Sequence, residues 1–161
     1  MAMTAIVVVS GNPRAGSRTS ALAIAVGEAL ATRHGAPAPT VIEVGTLGAG
    51  LLTPGDSGTA AAVAALTGAD LLVVATPTYK GSYTGVLKVL LDQLPNQALA
   101  GKHAVPVVTA GIAPQAAAAE ALLRQLLGEL GADVRAGLPV VEADLPETAA
   151  IAQKYAAAAD W

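Results

Sequence analysis

Five short runs of β-branched and other apolar residues alternate along this chain with longer segments rich in alanine and leucine. Such alternation is typical of repeated βα units on a parallel sheet. The runs are almost continuously apolar, as expected of strands that helices cover on both faces. We therefore predict an α/β fold with five parallel strands. These are Ala5 to Val9, Thr40 to Val44, Leu71 to Ala75, Ala104 to Thr109 and Val134 to Val141.

The segments between these runs predict five helices. Leu22, Val26 and Leu30 follow one another at intervals of four residues and place one apolar stripe on the first helix. Pro95 is expected to stop the third helix, and Gly131 to end the fourth. The predicted helices are Ser17 to Arg33, Thr59 to Thr67, Tyr83 to Leu94, Gln115 to Leu130 and Glu147 to Ala159.

The chain length limits how these units can be arranged. A chain of 161 residues suits a single domain over residues 1–161, whereas an eight-unit barrel needs about 250 residues. We therefore predict a flavodoxin-like, doubly wound sheet in the strand order 2-1-3-4-5. In such a sheet ligands bind beyond the carboxyl ends of the strands, where the first and third strands diverge.

Composition narrows the possible functions. The net charge is −3 and the nine basic residues are scattered, which gives no reason to expect a nucleic acid partner. There is no cysteine and there are only two histidines, so neither thiol chemistry nor a metal site is predicted. No apolar stretch reaches the roughly 18 residues of a membrane span, and no signal peptide pattern opens the chain. We expect a soluble, cytoplasmic protein whose redox function, if any, comes from a bound cofactor.

The loop "SGNPRAGSRTSALA" joins the first strand to the first helix. The start of a helix presents free backbone N–H groups and the positive end of the helix dipole, which attract anions. Arg14 and Arg18 carry the guanidinium groups that pair best with phosphate oxygens. The hydroxyl donors in the same loop are Ser10, Ser17, Thr19 and Ser20. The loop therefore predicts a phosphate site.

Spacing distinguishes among the nucleotide sites that such a loop could form. The dinucleotide fingerprint G-x-G-x-x-G is absent, and Gly11-x-x-x-x-Gly16 is followed by Ser17-Arg18 instead of Lys-Ser/Thr. The third strand ends in "VVATP", without an aspartate to hold magnesium. A phosphate monoester bound without metal fits best. The alternative is a hydroxyl-capped helix start with incidental arginines.

Two further loops leave the same edge of the predicted sheet. The third strand runs into "ATPTYKGSYTG" and the fourth into "VTAGIAP". The first contains turn-forming residues, and the small residues of the second let a flat ring approach the backbone. The three loops together could hold a phosphate and both edges of a planar ring.

The segments "SGNPRAGSRTSAL", "ATPTYKGSYTGVLKVLLDQLP" and "LAGKHAVPVVTAG" make the chain resemble the NADPH-dependent FMN reductase family, close to flavin reductases of two-component sulfonate monooxygenase systems. The resemblance spans about Ile6 to Gly111. It implies that the FMN phosphate is bound by Ser10, Arg14, Ser17, Arg18 and Thr19. It also implies that the isoalloxazine ring is lined by Pro77, Thr78, Tyr79, Lys80 and Gly81, and that its pyrimidine side meets Thr109, Ala110 and Gly111.

By this resemblance the protein transfers a hydride from NADH or NADPH to FMN, with no catalytic side chain and with a monooxygenase as a possible recipient of reduced flavin. Backbone N–H groups at Lys80, Gly81 and Gly111 are expected to stabilise charge on the reduced flavin. Three alternatives stay open: an FMN-retaining reductase of quinones, azo dyes or nitro compounds, a flavodoxin-type electron carrier, and a phosphate-binding module without catalysis.

The third and fourth helices carry more apolar residues than one sheet face can cover. In the fourth helix these include Leu122, Leu123, Leu126 and Leu127. We therefore predict a homodimer or homotetramer. Trp161, at the end of the sequence, is expected to pack against the protein or a second subunit.

Overall fold

The computed structural model of the protein describes residues 2–3 and 5–161. Its parallel strands are β1 (Ile6–Ser10), β2 (Thr40–Glu43), β3 (Leu71–Pro77), β4 (His103–Ala110), β5 (Asp133–Val134) and β6 (Leu138–Val141). Its α-helices are α1 (Arg18–His34), α2 (Ser57–Gly68), α3 (Gly85–Leu91), α4 (Ala113–Glu129) and α5 (Thr148–Ala158). Two 3-10 segments, Val44–Leu52 and Glu142–Glu147, follow β2 and β6 and were not predicted.

The strands lie in the order β2-β1-β3-β4-β5, with β6 also paired to β4. The predicted flavodoxin-like order is therefore confirmed, but the last predicted strand consists of two short strands. Ala104 pairs with Val134, and Val107 pairs with Leu138. The chain from β5 to β6 therefore contains one residue more than the part of β4 that it pairs with. The extra residue between β5 and β6 is accommodated as a bulge.

Helices cover both faces of the sheet, as predicted. On one face α1 and α5 pack over Val8 and Val73, both fully buried. On the other face α2, α3 and α4 pack over Val9 and Leu72. Because side chains alternate along a strand, each central strand contributes to both cores, which explains its continuous apolar sequence.

Capping residues set the ends of the helices that border the sheet edge. The Ser17 hydroxyl accepts a hydrogen bond from the Ser20 amide at the start of α1, and Gly35 ends that helix with φ 64°. Thr84 caps α3 in the same way through the Leu87 amide, so α3 begins after Tyr83, later than predicted. It ends at Leu91, before the predicted end at Leu94, so the helix stops short of Pro95. Gly131 follows α4 with φ 92°, in agreement with its predicted role.

Trp161 packs near the amino-terminal end of β4, beside His103, the first residue of that strand. Its ring centroid lies 5.7 Å from that of His34 and 5.5 Å from that of His103, and the Arg135 guanidinium carbon lies 5.4 Å from the tryptophan ring centroid. The predicted packing role of Trp161 is thus confirmed within the chain. Among the helices of the described residues, none combines the length and the apolar character that crossing a membrane requires.

Candidate functional site

The loop between β1 and α1 is held in place by backbone and side-chain hydrogen bonds. The Gly11 amide donates to the Ala75 carbonyl at 2.7 Å, which ties the loop to β3. The Asn12 side-chain oxygen accepts from the Arg14 amide at 2.9 Å, a local turn typical of asparagine. Gly16 has φ 69°, which glycine adopts without strain. We call residues 11–17 the phosphate loop.

Behind the phosphate loop lies a chain of three buried serine hydroxyls. Ser20 Oγ is 2.7 Å from Ser10 Oγ and 3.1 Å from Ser17 Oγ. A hydroxyl has one proton to donate and two positions at which it accepts. If Ser10 donates to Ser20 and Ser20 to Ser17, the Ser17 proton is left for an anion at the start of α1.

A cleft of about 150 Å³ opens beside Ser17 at the carboxyl ends of the strands. It brings together predicted residues from all three loops: Arg14, Ser17, Arg18, Thr19, Pro77, Tyr79 and Thr109. The other predicted residues are not among those lining it: Ser10, Thr78, Lys80, Gly81, Ala110 and Gly111. Ser10 lies behind the loop, in contact with Ser20.

Threonine side chains fix the β4 end of the cleft. Thr19 Oγ1 is 2.8 Å from Thr109 Oγ1, and both residues are buried. The Thr78 hydroxyl donates to the Thr109 carbonyl at 2.9 Å. The start of α1, the end of β3 and the end of β4 therefore meet at Thr109.

The segment after β3 forms a tight turn at residues 79–82. Tyr79 and Ser82 exchange two backbone hydrogen bonds, of 2.9 and 3.2 Å, which use neither the Lys80 nor the Gly81 amide. Lys80 and Gly81 both have positive φ, 53° and 82°, as in the turns that close right-twisted hairpins. The Tyr79 side chain stands at the rim of the cleft, 48% exposed.

Thr84 connects this turn to the phosphate loop. It is 1% exposed, its hydroxyl donates to the Gly11 carbonyl at 2.6 Å, and its amide donates to the Thr76 hydroxyl at 3.1 Å. A Cβ on Gly11 would lie 2.7 Å from the Leu87 Cβ, so only glycine permits this approach. Sequence reasoning missed Thr84, although a threonine directly before an apolar helix is a recognisable cap.

Two glutamates that sequence reasoning also missed contact the phosphate site. Glu43, at the end of β2, accepts from the Gly16 amide at 2.9 Å. Glu142, directly after β6, lines the cleft and lies 3.8 Å from the Arg18 guanidinium. No local motif marks either residue, because the strand order alone brings them to this edge.

Three larger depressions lie elsewhere on the surface. They measure about 720 Å³ between the 51–56 segment, α2 and α3, about 580 Å³ between α1 and α5, and about 370 Å³ between β6 and α5. Alanine is prominent in the lining of the second, and the first lies at the start of α2, where the Asp56 carboxylate already caps the helix. The smaller cleft is the candidate site because charge, hydroxyl donors and helix dipole converge there.

A doubly wound parallel sheet in this strand order, with a capped helix start after its first strand, defines a protein of the flavodoxin-like fold class. The profile of the family described as NADPH-dependent FMN reductase matches residues 4–144. The chain belongs to that family. This confirms the resemblance found in the three loop sequences.

Known proteins similar to this chain support the assignment. It is 47% identical over 64 residues to an FMN reductase (NADPH) of Escherichia coli strain K12, a match that covers 40% of this chain and 34% of the relative. The chain thus spans about a third of that relative's length. The apo crystal structure of an NADH:FMN oxidoreductase matches with a TM-score of 0.77 and 33% identity over 95% of this chain and 88% of that one. An oxidoreductase from Corynebacterium diphtheriae matches with a TM-score of 0.78 and 26% identity, covering 98% and 97% of the two chains.

Proposed function

We propose that this protein is an NAD(P)H-dependent FMN reductase. The observation that carries the proposal is the cleft in which Arg14 and Ser17 of the phosphate loop and Arg18 of α1 face Pro77 at the end of β3 and Tyr79 of the turn after it. FMN held by these residues would supply the redox chemistry, which carries two electrons from the reduced nicotinamide to an acceptor. The protein supplies position and electrostatics for that chemistry.

The start of α1 fits the phosphate end of FMN. Ser17 offers a hydroxyl donor at the helix N-terminus, and the exposed Arg14 and Arg18 add positive charge at the mouth of the cleft. A phosphate monoester is a dianion above a pH of about 6, so it gains from both cations and from the helix dipole. No metal is required to neutralise it.

The β3 turn and the end of β4 are the proposed contacts of the flavin ring. The cleft of about 150 Å³ is smaller than the roughly 300 Å³ from which most ligand pockets begin, so the ring would extend beyond it, over Tyr79. The amides of Lys80 and Gly81, which the turn's own hydrogen bonds do not use, are proposed donors to the ring. Thr109, Ala110 and Gly111 are proposed to face its pyrimidine side.

Several finer assignments stay predictions. We expect NADH or NADPH as the reductant, a flavin-dependent monooxygenase as a recipient of reduced FMN, a single domain, a homodimer or homotetramer, and a cytoplasmic location. The exposed Leu122 on α4 and Ile112 before it support the association of subunits. Sedimentation of a single monomeric species at micromolar concentration would contradict the oligomer.

Nicotinamide oxidation with and without added FMN tests the proposed function. We expect oxidation of NADH or NADPH that depends on FMN, and FMN binding that Arg14→Gln weakens about tenfold through the loss of a charge-assisted contact. Lys154→Gln, which removes an exposed cation on α5, is the matched control and is expected to change neither quantity. Absence of any flavin-dependent rate with both nucleotides would contradict the proposal.

Experiments on the same purified protein distinguish the three alternative functions. Flavin that copurifies and resists gel filtration, together with reduction of a quinone, azo dye or nitro compound, would identify an FMN-retaining reductase. Flavin binding without any reaction with NADH or NADPH would identify an electron carrier. Affinity for phosphate without affinity for FMN would leave only a phosphate-binding module.

A further inference from the structure

The phosphate loop and the start of α1 carry two arginines, and two glutamates contact them. Arg14 and Arg18 line the cleft, Glu142 lines it beside Arg18, and the Glu43 carboxylate is bonded to the Gly16 amide. With all four side chains ionised, their charges cancel. A site selected only for tight binding of a phosphate dianion would keep carboxylates away from it, because like charges repel at this range.

Glu43 occupies a backbone donor of the phosphate loop, although neither Glu43 nor Gly16 lines the cleft itself. Its Oε1 accepts from Gly16 N at 2.9 Å, within the range of a charge-assisted hydrogen bond. Gly16 directly precedes the Ser17 cap of α1, so its amide is a backbone donor of the phosphate loop beside the helix start. A phosphate that binds this amide must displace the Glu43 carboxylate.

Glu142 acts on the other side of the cleft. It lies 3.8 Å from the Arg18 guanidinium, and both side chains are more than half exposed, at 53% and 67%. A contact this exposed is weak and therefore exchangeable. It nevertheless places a negative charge beside the arginine that the phosphate needs.

We propose that Glu43 and Glu142 compete with the FMN phosphate for the Gly16 amide and the Arg18 guanidinium, and so keep FMN affinity low enough for exchange. This inference rests on the proposed function. The observed affinity equals the intrinsic affinity reduced by the fraction of protein in which the two groups are free. FMN would then act as an exchanging substrate of the reductase.

Binding measurements on charge-neutral variants test this inference. FMN and riboflavin, which lacks the phosphate, are titrated by flavin fluorescence against wild type, Glu43→Gln, Glu43→Ala and Glu142→Gln. We expect each variant to tighten FMN binding about three- to tenfold and to slow FMN dissociation, with the largest effect for Glu43→Ala. Riboflavin affinity is expected to stay within about twofold of wild type, as small differences in free energy allow.

Two controls make the result specific. Glu28→Gln removes an equal charge from α1 at the depression between α1 and α5, away from the cleft, and we expect it to leave FMN affinity unchanged. Added salt should shrink the difference between wild type and the variants, because exposed charges are screened. A contribution of Glu43 to loop shape alone would not show this salt dependence.

The outcomes are distinguishable. Weaker or unchanged FMN binding in Glu43→Ala and in Glu142→Gln would overturn the inference, as would equal tightening of FMN and riboflavin. If wild type and all variants fail to bind FMN, the proposed function itself is wrong. FMN-selective tightening that salt diminishes would establish the two glutamates as determinants of FMN exchange.

Discussion

Thr19 Oγ1 and Thr109 Oγ1 lie 2.8 Å apart, and this contact joins the first turn of α1 to the end of β4 across 90 residues of sequence. Both residues are nearly inaccessible, at 4% and 3% exposed. The contact sets the spacing between the proposed phosphate and ring regions of the cleft.

Removing either hydroxyl alone should lower the free energy of unfolding by more than half of the loss that removing both would cause. Thr19→Val leaves the buried Thr109 hydroxyl without this partner, so we expect a loss of about 1–3 kcal/mol in the free energy of unfolding. Thr19→Val combined with Thr109→Val should lose less than the sum of the two single variants. Urea denaturation of the four proteins in this cycle measures the coupling, and strictly additive losses would contradict it.

Ser20 is predicted to position the Ser17 hydroxyl. Ser20→Ala keeps the amide that Ser17 caps but removes the hydroxyl between Ser10 and Ser17. We expect a loss of about 1–2 kcal/mol in the free energy of unfolding and weaker FMN binding. Ser57→Ala, at the exposed start of α2, is the control and should leave FMN affinity unchanged. An unaltered FMN affinity in Ser20→Ala would contradict this role.

Gly45 is predicted to be required by the phosphate loop. A Cβ at this position would lie 2.2 Å from the Pro13 carbonyl oxygen, which is backbone and must move as a unit. Gly45→Ala should therefore displace the loop, lower the free energy of unfolding by about 1–3 kcal/mol and weaken FMN binding. Thermal unfolding and FMN titration measure both effects.

Gly128→Ala is the matched control for Gly45→Ala. Gly128 lies in α4, and a Cβ there has nothing within 4 Å. Alanine favours the helix, so this variant should gain up to about 1 kcal/mol and bind FMN normally. If both variants had the same stability and the same FMN affinity, the close approach of Gly45 to Pro13 would not be required for FMN binding.

Stability should fall in mildly acidic solution through His34. Burial, together with the Arg33 and His103 charges, lowers the pKa of His34 below its ordinary 6.5, and its Nε2 is buried without a hydrogen-bond partner among the described residues. The unfolded chain then takes up a proton near pH 6.5 while the folded protein resists it. The stability that neutral His34 contributes is complete above pH 6.5 and is lost as the pH falls through the lowered pKa.

Urea unfolding at about pH 7.5 and about pH 5.5 checks this prediction. His34→Gln, which cannot be protonated in this range, should lose less stability between the two conditions than wild type. Trp161, the single tryptophan, packs on His34 and reports the transition by fluorescence. An identical pH dependence of the two proteins would contradict the role of His34.

Much of the fold could be predicted because local patterns carry it. The buried runs around Val8 and Val73 and the stripe of Leu22, Val26 and Leu30 predicted the strands and helices to within a few residues. The bulge between β5 and β6 could not be predicted, because it depends on how both strands pair with β4. The late start of α3 reflects the Thr84 cap, which in turn bonds to Gly11 across 73 residues.

The sequence by itself determined the α/β order, the cover on both faces of the sheet and the loop that carries Arg14, Ser17 and Arg18. Local sequence patterns decide these features, since each strand, helix and loop is marked by residues that lie close together in the sequence. Only the tertiary structure decided that Glu43 meets Gly16 and that Thr19 meets Thr109. Such contacts depend on strand register and on the packing of α1 against the sheet, and no local pattern encodes them.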